Sequence, residues 1–313
     1  MTEPTSMTLT EATETFACFG AVCAVIVMGD GPAGRPHEAV AVARTRLLEW
    51  HGRFTRFEAA SELSRLNADL RHDVPVSPPM ARFAAAVVTA AGRTAGLVDA
   101  TLLDELEDAG YDRDLGAPLP LEVALRLTRR RAPATANAWS RRHDITVDLG
   151  RGIVSRPPGV RLDGGGLVKG LAADILAEDL GRHDAFAVDC AGDLRVGGTA
   201  GLKRRVEVQS PFDGSVIHHF DVAAGGIATS GIGRRSWLDP RGRPAHHLID
   251  PGTGRPAFTG VVQATALAPT GLEAEIRSKA AVLSGPAGAE QWLPDGGVLV
   301  LDDGRCLAVP ART

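Results

Sequence analysis

Asp163-Gly164-Gly165-Gly166-Leu167-Val168-Lys169-Gly170 is the stretch that organises this sequence, because three successive glycines stand directly ahead of a helical pattern. Beyond it Leu171, Ala172, Ile175 and Leu176 line one side of a helix, and Gly181 stands where its C-cap belongs. Glycines at a helix N-terminus let backbone N–H groups approach an anion closely, and Lys169 adds a compact positive charge. The spacing is not that of a P-loop, which needs Gly-Lys-Ser/Thr where this chain has Val168-Lys169-Gly170. Nor is it the dinucleotide fingerprint, since Lys169 stands where a third glycine should be. Taken alone, the segment suits a phosphate ligand and a simple tight turn equally.

Working outward, Ile145–Leu149 and Ile153–Leu162 read as paired strands around Gly150-Arg151-Gly152. Further upstream, Val40, Ala43, Leu47, Trp50 and Phe54 share one face of a helix starting near His37. Ser77 can cap a second helix from Pro79 to Thr94, and Ser61 with Ser64 begins a short one ending at Asn67. Phe16 to Met28 reads as one buried strand. Downstream, short strands are expected at Ala185–Val188, Val206–Val208, His219–Val222, Gly226–Thr229 and Val261–Leu267. A helix over Leu272–Leu283 and a hairpin pairing Val298–Leu301 with Cys306–Val309 close the chain. The pattern predicts an α+β protein: a disordered N-terminus over residues 1–15, then a single domain over residues 16–313. That domain is read as two-lobed, with the polar stretch Asp112–Pro120 as a weak boundary.

The chain has 313 residues, 44% of them hydrophobic and 23% charged, enough for a large core. A net charge of −4 gives no general reason to bind nucleic acid, and Arg129, Arg130, Arg131, Arg141 and Arg142 read as a solvated helix end and loop. Cys18, Cys23, Cys190 and Cys306 have no metal spacing and sit among apolar or small residues, as buried free thiols of a reducing compartment would. The first residues lack a basic n-region and an apolar h-region, and Phe16–Met28 is too short to span a bilayer. A cytoplasmic protein without membrane insertion is expected.

A second constellation joins Ala228-Thr229-Ser230-Gly231 to His246-His247-Leu248-Ile249-Asp250-Pro251-Gly252-Thr253-Gly254. No GxSxG elbow accompanies the serine, so a turn is the simpler reading of Ser230-Gly231. His247 is a better candidate for touching a ligand than for activating a serine.

Five blocks in order then carry a resemblance: Ser61-Glu62-Leu63-Ser64-Arg65-Leu66-Asn67, Asp99-Ala100-Thr101, Asp163 to Gly170, Ala228 to Gly231, and His247 to Gly254. Together they resemble the FAD:protein FMN transferases, the ApbE-like flavin transferases formerly termed thiamine-biosynthesis lipoproteins. The resemblance implies a two-lobed sandwich of mixed, mainly antiparallel sheets flanked by helices. It also implies transfer of the FMN half of FAD to a Ser or Thr hydroxyl of a partner flavoprotein, with release of AMP. A non-catalytic FAD-binding or flavin-delivery module and an FAD pyrophosphatase are the alternatives. The resemblance points to Phe19, Phe57, Asn67, Leu97, Val98, Asp99, Asp163, Gly166, Lys169, Thr229, Ser230, His247 and Leu248 as FAD contacts, with chemistry at Lys169 and His247.

Two departures stand out. Phe19-Gly20-Ala21 replaces the family's usual Met-Gly-Thr. On the late helix, where the family supplies an Asp and, four residues on, a Thr to Mg²⁺ together with a glycine-loop carbonyl such as that of Gly166, this chain has Glu275 and Lys279. Glu275 can still ligate Mg²⁺ and a protonated lysine cannot. Lys279 then either replaces the cation and joins the catalytic groups, marks a degenerate site, or forms an ordinary surface pair with Glu275.

Overall fold

The computed structural model describes residues 10–113, 115–128, 130–137 and 140–312. Its main sheet is antiparallel throughout, and the strands lie side by side in chain order: Glu11–Cys18, Ala21–Met28, Ala185–Cys190, Asp193–Gly197, Gly225–Gly231, Val261–Ala268, Gly297–Leu301 and Cys306–Val309. Long excursions between neighbouring strands carry the helices α1 (Pro36–Phe54), α2 (Glu62–Ala68), α3 (Pro78–Arg93), α4 (Leu103–Asp108), α5 (Leu121–Leu127), α6 (Val168–Leu180) and α7 (Gly271–Gly288).

Each helix forms where periodicity and capping agree. In α1 the stripe Val40, Ala43, Leu47, Trp50 and Phe54 is buried, and the helix packs on the first two strands. The Ser77 hydroxyl accepts from Met80 N–H at the start of α3, and that of Ser61 accepts from Ser64 N–H at the start of α2. Helices α6 and α7 pack on the centre of the sheet and against each other. The central strand Val261–Ala268 is buried along nearly its whole length, so its sequence does not alternate.

The architecture is the α+β arrangement of mainly antiparallel sheets flanked by helices that was expected, but several details differ. Phe16–Met28 is not one strand; the chain reverses at Phe19 and Gly20, both at positive φ (52° and 72°). The first strand spans Glu11–Cys18, so residues 11–15 are not disordered as expected; residues 1–9 lie outside the described residues. Glu11 and Glu14 resemble a solvated tail because they belong to an edge strand, where they pair with Arg204 and Arg44.

The strand starting at Ile153 stops at Ser155, since Pro157 and Pro158 cannot donate to a ladder. Cys306 is exposed, whereas Cys18, Cys23 and Cys190 are buried. Arg131 and Arg141 are not simply solvated: they pair with Asp302 at 2.6 Å and Asp104 at 2.8 Å, and Arg129 lies outside the described residues. Leu119, within the Asp112–Pro120 stretch, is tied to the strand Ser236–Leu238: its N–H donates to Ser236 O and the Ser236 hydroxyl donates to its carbonyl.

Candidate functional site

The glycine loop is held from both ends. Asp163 N–H donates to Ala100 O at 2.8 Å, and the Asn67 amide clamps Leu162 by donating to its carbonyl (2.9 Å) and accepting from its N–H (2.8 Å). Gly164 passes so close to the end of α1 that a Cβ there would lie 2.7 Å from Phe54 O. After a single 3₁₀ turn over Gly164–Gly166 the chain enters α6 at Val168.

Helices α6 and α7 cap one another where they cross. Gly170 N–H, in the first turn of α6, donates to Glu275 Oε2 on α7 at 2.9 Å. In return, Gly271 and Leu272 N–H, in the first turn of α7, donate to the Asp174 carboxylate on α6 at 2.7 and 2.9 Å. Unpaired N–H groups at a helix start favour acidic partners, so each helix anchors the other's positive end. A Cβ at Gly170 would lie 2.5 Å from Gly271 O, which makes this crossing possible only with glycine.

This crossing assembles four charges, three of them buried and that of Lys169 partly exposed to the cleft. Lys169 Nζ lies 2.5 Å from an oxygen of Asp193, a residue 1% exposed, and Lys279 Nζ lies 2.8 Å from Glu275 Oε1. Burial works against the charge of Lys169, but Asp193 and Glu275 outweigh it and raise its pKa. Burial likewise pushes Glu275 upward, and Lys279 opposes that shift.

Over this base opens a cleft of about 750 Å³, within the usual range of ligand cavities. Gly164, Gly165, Lys169, Arg234, Arg235 and His247 line it, together with Phe19, Phe57 and Tyr111. Arg235 Nη2 donates to the Phe19 carbonyl at 3.0 Å, which uses the unusual turn at Phe19 to orient the guanidinium. Arg56 sits over Phe57 (4.3 Å) and Tyr111 (4.5 Å), while its Nε approaches Asp163 at 3.6 Å. A small adjoining cavity of about 60 Å³ is lined by Leu97, Val98, Asp99, Gly166, Leu248 and Lys279, and it shares Asp163, Gly165 and His247 with the cleft.

The expected residues therefore divide. Phe19, Phe57, Leu97, Val98, Asp99, Asp163, Gly166, Lys169, His247, Leu248 and Lys279 all line one of these two spaces. Asn67, Thr229 and Ser230 line neither. Asn67 spends its amide on Leu162, the Thr229 hydroxyl meets that of Thr265 at 2.8 Å, and the Ser230 hydroxyl meets that of Ser278 at 2.8 Å. In this structure the polar groups of these three are engaged within the protein. Asp99 lines the small cavity, but its carboxylate is already taken by Thr101 and Ser140.

Two neighbouring histidines differ: His247 lines the cleft and His246 is buried. His247 is held well below its ordinary pKa by burial first, and then by Arg235, His246 and Lys279. Its Nδ1 faces Arg235 O at 3.4 Å, a group that can only accept, so the proton belongs on Nδ1 and Nε2 is left as an acceptor. His246 is lowered to about 3 by burial; its Nδ1 accepts from Leu248 N–H at 3.2 Å, and its Nε2 has no partner.

Because the folded pKa of His246 lies below its ordinary 6.5, its contribution to stability is complete above pH 6.5 and is lost as pH falls toward about 3. His246→Asn keeps an acceptor for Leu248 and removes the titration. It is expected to flatten the loss of stability between pH 6 and 4, by at most about 1.4 kcal/mol per pH unit. Urea unfolding at a series of pH values checks this; an unchanged slope contradicts it.

The sequence matches the ApbE family over residues 19–300. The chain belongs to the ApbE family. It is 30% identical to the FAD:protein FMN transferase of Rhodobacter capsulatus over 311 residues, covering 96% of this chain and 57% of that protein. It is 34% identical to the FAD:protein FMN transferase of Escherichia coli K12 over 138 residues, 42% of this chain and 39% of that protein. The chain thus spans about half the length of these relatives. The ApbE protein of Thermotoga maritima has the same fold, with a TM-score of 0.76 at 22% identity, covering 96% of this chain and 97% of that one. The flavin transferase ApbE of Vibrio cholerae superposes with a TM-score of 0.71 at 19% identity, over 96% and 97%.

Against this ApbE background the residues around Glu275 do not fit a magnesium site. Glu275 has both oxygens engaged, one by Lys279 and the other by Gly170 N–H, and is fully buried. A protonated lysine offers no lone pair to a metal. Among the described residues no group of three or more His, Cys, Asp or Glu could hold a metal ion. The pair is not the ordinary surface pair that was one expectation, since the side chains of Glu275 and Lys279 are only 0% and 9% exposed.

Sequence reasoning missed Asp193, Arg56 and Arg235. Asp193 starts a strand, Asp193–Gly197, that was not anticipated, and its neighbour Gly192 was the available signal of a tight turn. Arg235 follows Ser230-Gly231 by only a few residues, but an arginine pair, Arg234-Arg235, in a loop carries no periodic signal.

Proposed function

We propose that this chain binds FAD with its pyrophosphate between the glycine loop, Lys169 and Arg235, and transfers the FMN half to a Ser or Thr hydroxyl of a partner flavoprotein. The observation that carries this reading is the convergence of Gly164 and Gly165 of the glycine loop with Lys169, Arg235 and His247 in one cleft of about 750 Å³. ApbE membership and relatives named FAD:protein FMN transferase supply the substrate.

In the step proposed, the acceptor oxygen bonds to the FMN-side phosphorus as the bond from that phosphorus to the bridging oxygen breaks. The electron pair leaves on AMP, and the hydroxyl proton passes to His247 Nε2. Lys169 and Arg235 neutralise charge on the phosphoryl oxygens, and the braced loop keeps the reacting atoms in line. His247 starts neutral; an anionic pyrophosphate beside it offsets Arg235 and Lys279 and makes it a stronger base. No divalent cation enters, in keeping with the engaged carboxylate of Glu275. A cytoplasmic location belongs to the same reading, supported by four free cysteines. Among the described residues no helix is long and apolar enough to cross a membrane.

The test is to incubate the protein with FAD and a Thr-bearing flavoprotein domain. The reading predicts AMP and protein-linked flavin in equal amounts. FMN and AMP without labelled protein would make it an FAD pyrophosphatase, and FAD binding without AMP would make it a delivery module.

A further inference from the structure

The disagreement at Glu275 can be taken further, resting on the FMN-transfer reading above. We propose that the Lys279 ammonium, fixed by Glu275, supplies the positive charge on the Gly166 side of the pyrophosphate, so that transfer needs no divalent cation.

Three observations carry this. First, Lys279 and Lys169 line adjoining spaces that share a border. Asp163, Gly165 and His247 border both the cleft and the small cavity; Lys169 lines the first and Lys279 the second. Gly165 therefore borders both the space lined by Lys169 and the space lined by Lys279.

Second, Lys279 is held as a fixed charge. Its side chain is 9% exposed, and Glu275, one helical turn away and fully buried, binds it at 2.8 Å while taking Gly170 N–H with its other oxygen. Glu275 thereby ties the ammonium to the first turn of α6, the helix that follows the glycine loop. Such preorganised charge needs no rearrangement as the transition state forms.

Third, the charges balance without a metal. Asp193 pairs with Lys169 and Glu275 with Lys279, so the buried carboxylates each have one cationic partner. A divalent cation on Glu275 would have to displace Lys279 and leave two like charges adjacent in a buried space.

In the balanced reaction the acceptor O–P bond forms, the P–O bond to AMP breaks, and the hydroxyl proton goes to His247. Lys279 exchanges no atom; it acts by electrostatic stabilisation of the negative charge.

The experiment uses the full chain, freed of metal with chelating resin and EDTA, with FAD and the Thr-bearing acceptor. AMP release is measured with and without added Mg²⁺, and Mn²⁺ binding to the FAD-loaded protein is followed by electron paramagnetic resonance. The proposal predicts turnover within about twofold in both conditions and no stoichiometric Mn²⁺ site. Lys279→Met is expected to lower turnover by about 100-fold, the size of effect seen when one preorganised charge is removed, while Lys279→Arg retains most of it. Since Lys279→Met alone strands the Glu275 charge, Glu275→Gln with Lys279→Met removes both charges, keeps an acceptor for Gly170, and should show the same loss in a folded protein.

Loss of turnover on chelation with recovery on Mg²⁺, or FAD-dependent stoichiometric Mn²⁺ binding, would overturn the proposal and leave the transfer reading intact. Full activity of the folded double variant would also overturn it. No AMP in either condition would defeat the transfer reading itself, and the proposal with it.

Discussion

Lys169→Ala is expected to lower kcat/KM for FMN transfer by roughly 100- to 1,000-fold, the usual cost of deleting one positioned charge at a phosphoryl group. Lys169 follows the glycine loop by three residues, lines the cleft, and is kept charged by Asp193 at 2.5 Å. The loss should fall mainly on kcat, because Arg235 and the loop amides remain to bind FAD. Initial rates of AMP release at saturating acceptor measure it, and a change below threefold would remove Lys169 from the chemistry.

Asp193→Asn separates positioning from contact. Without the carboxylate, burial is opposed only by the more distant Glu275, so the Lys169 pKa falls. Activity of this variant should decline at a lower pH on the alkaline side than in the parent protein. A merely structural role for Asp193 would lower activity at every pH alike.

The second large effect is on stability. Gly170→Ala is expected to cost about 3 kcal/mol, at the upper end for overpacking a core. Its new methyl would lie 2.5 Å from Gly271 O and 2.8 Å from Leu272 Cα, both backbone atoms that cannot swing aside. Parting the helices would also stretch the bonds from Gly170 to Glu275 and from Gly271 and Leu272 to Asp174. A urea midpoint unchanged from the parent protein would show that α6 and α7 are not locked at this crossing. Because Glu275 would move with α7, the variant should also lose FMN transfer.

What the sequence revealed and what it hid follow from the range of the interactions. Elements with a local cause were legible: α1 from its apolar stripe, α3 from Ser77 and its prolines, and the start of α6 from the glycines. The Phe19–Gly20 reversal was not, because an apolar run looks the same whether it continues or folds back, and a phenylalanine at positive φ is not what a turn usually uses. At the site, Lys169 and His247 could be found through the blocks that surround them. Asn67, Thr229 and Ser230 belong to such blocks as well, but only the fold shows that their polar groups are spent on Leu162, Thr265 and Ser278. Asp193 and Arg235 reach the loop from distant parts of the chain, and no spacing rule connects them to it. The pairing of Glu275 and Lys279 was visible as an (i, i+4) spacing; its burial, which decides its meaning, was not.

The central claim is that the glycine loop and Lys169 hold the pyrophosphate of FAD, and a crystal structure of the FAD complex tests it most directly. The account predicts phosphate oxygens within hydrogen-bond distance of the Gly164–Gly166 amides and of Lys169 Nζ, with Arg235 on the opposite side. FAD bound with its pyrophosphate away from this loop, or bound elsewhere on the protein, would contradict it.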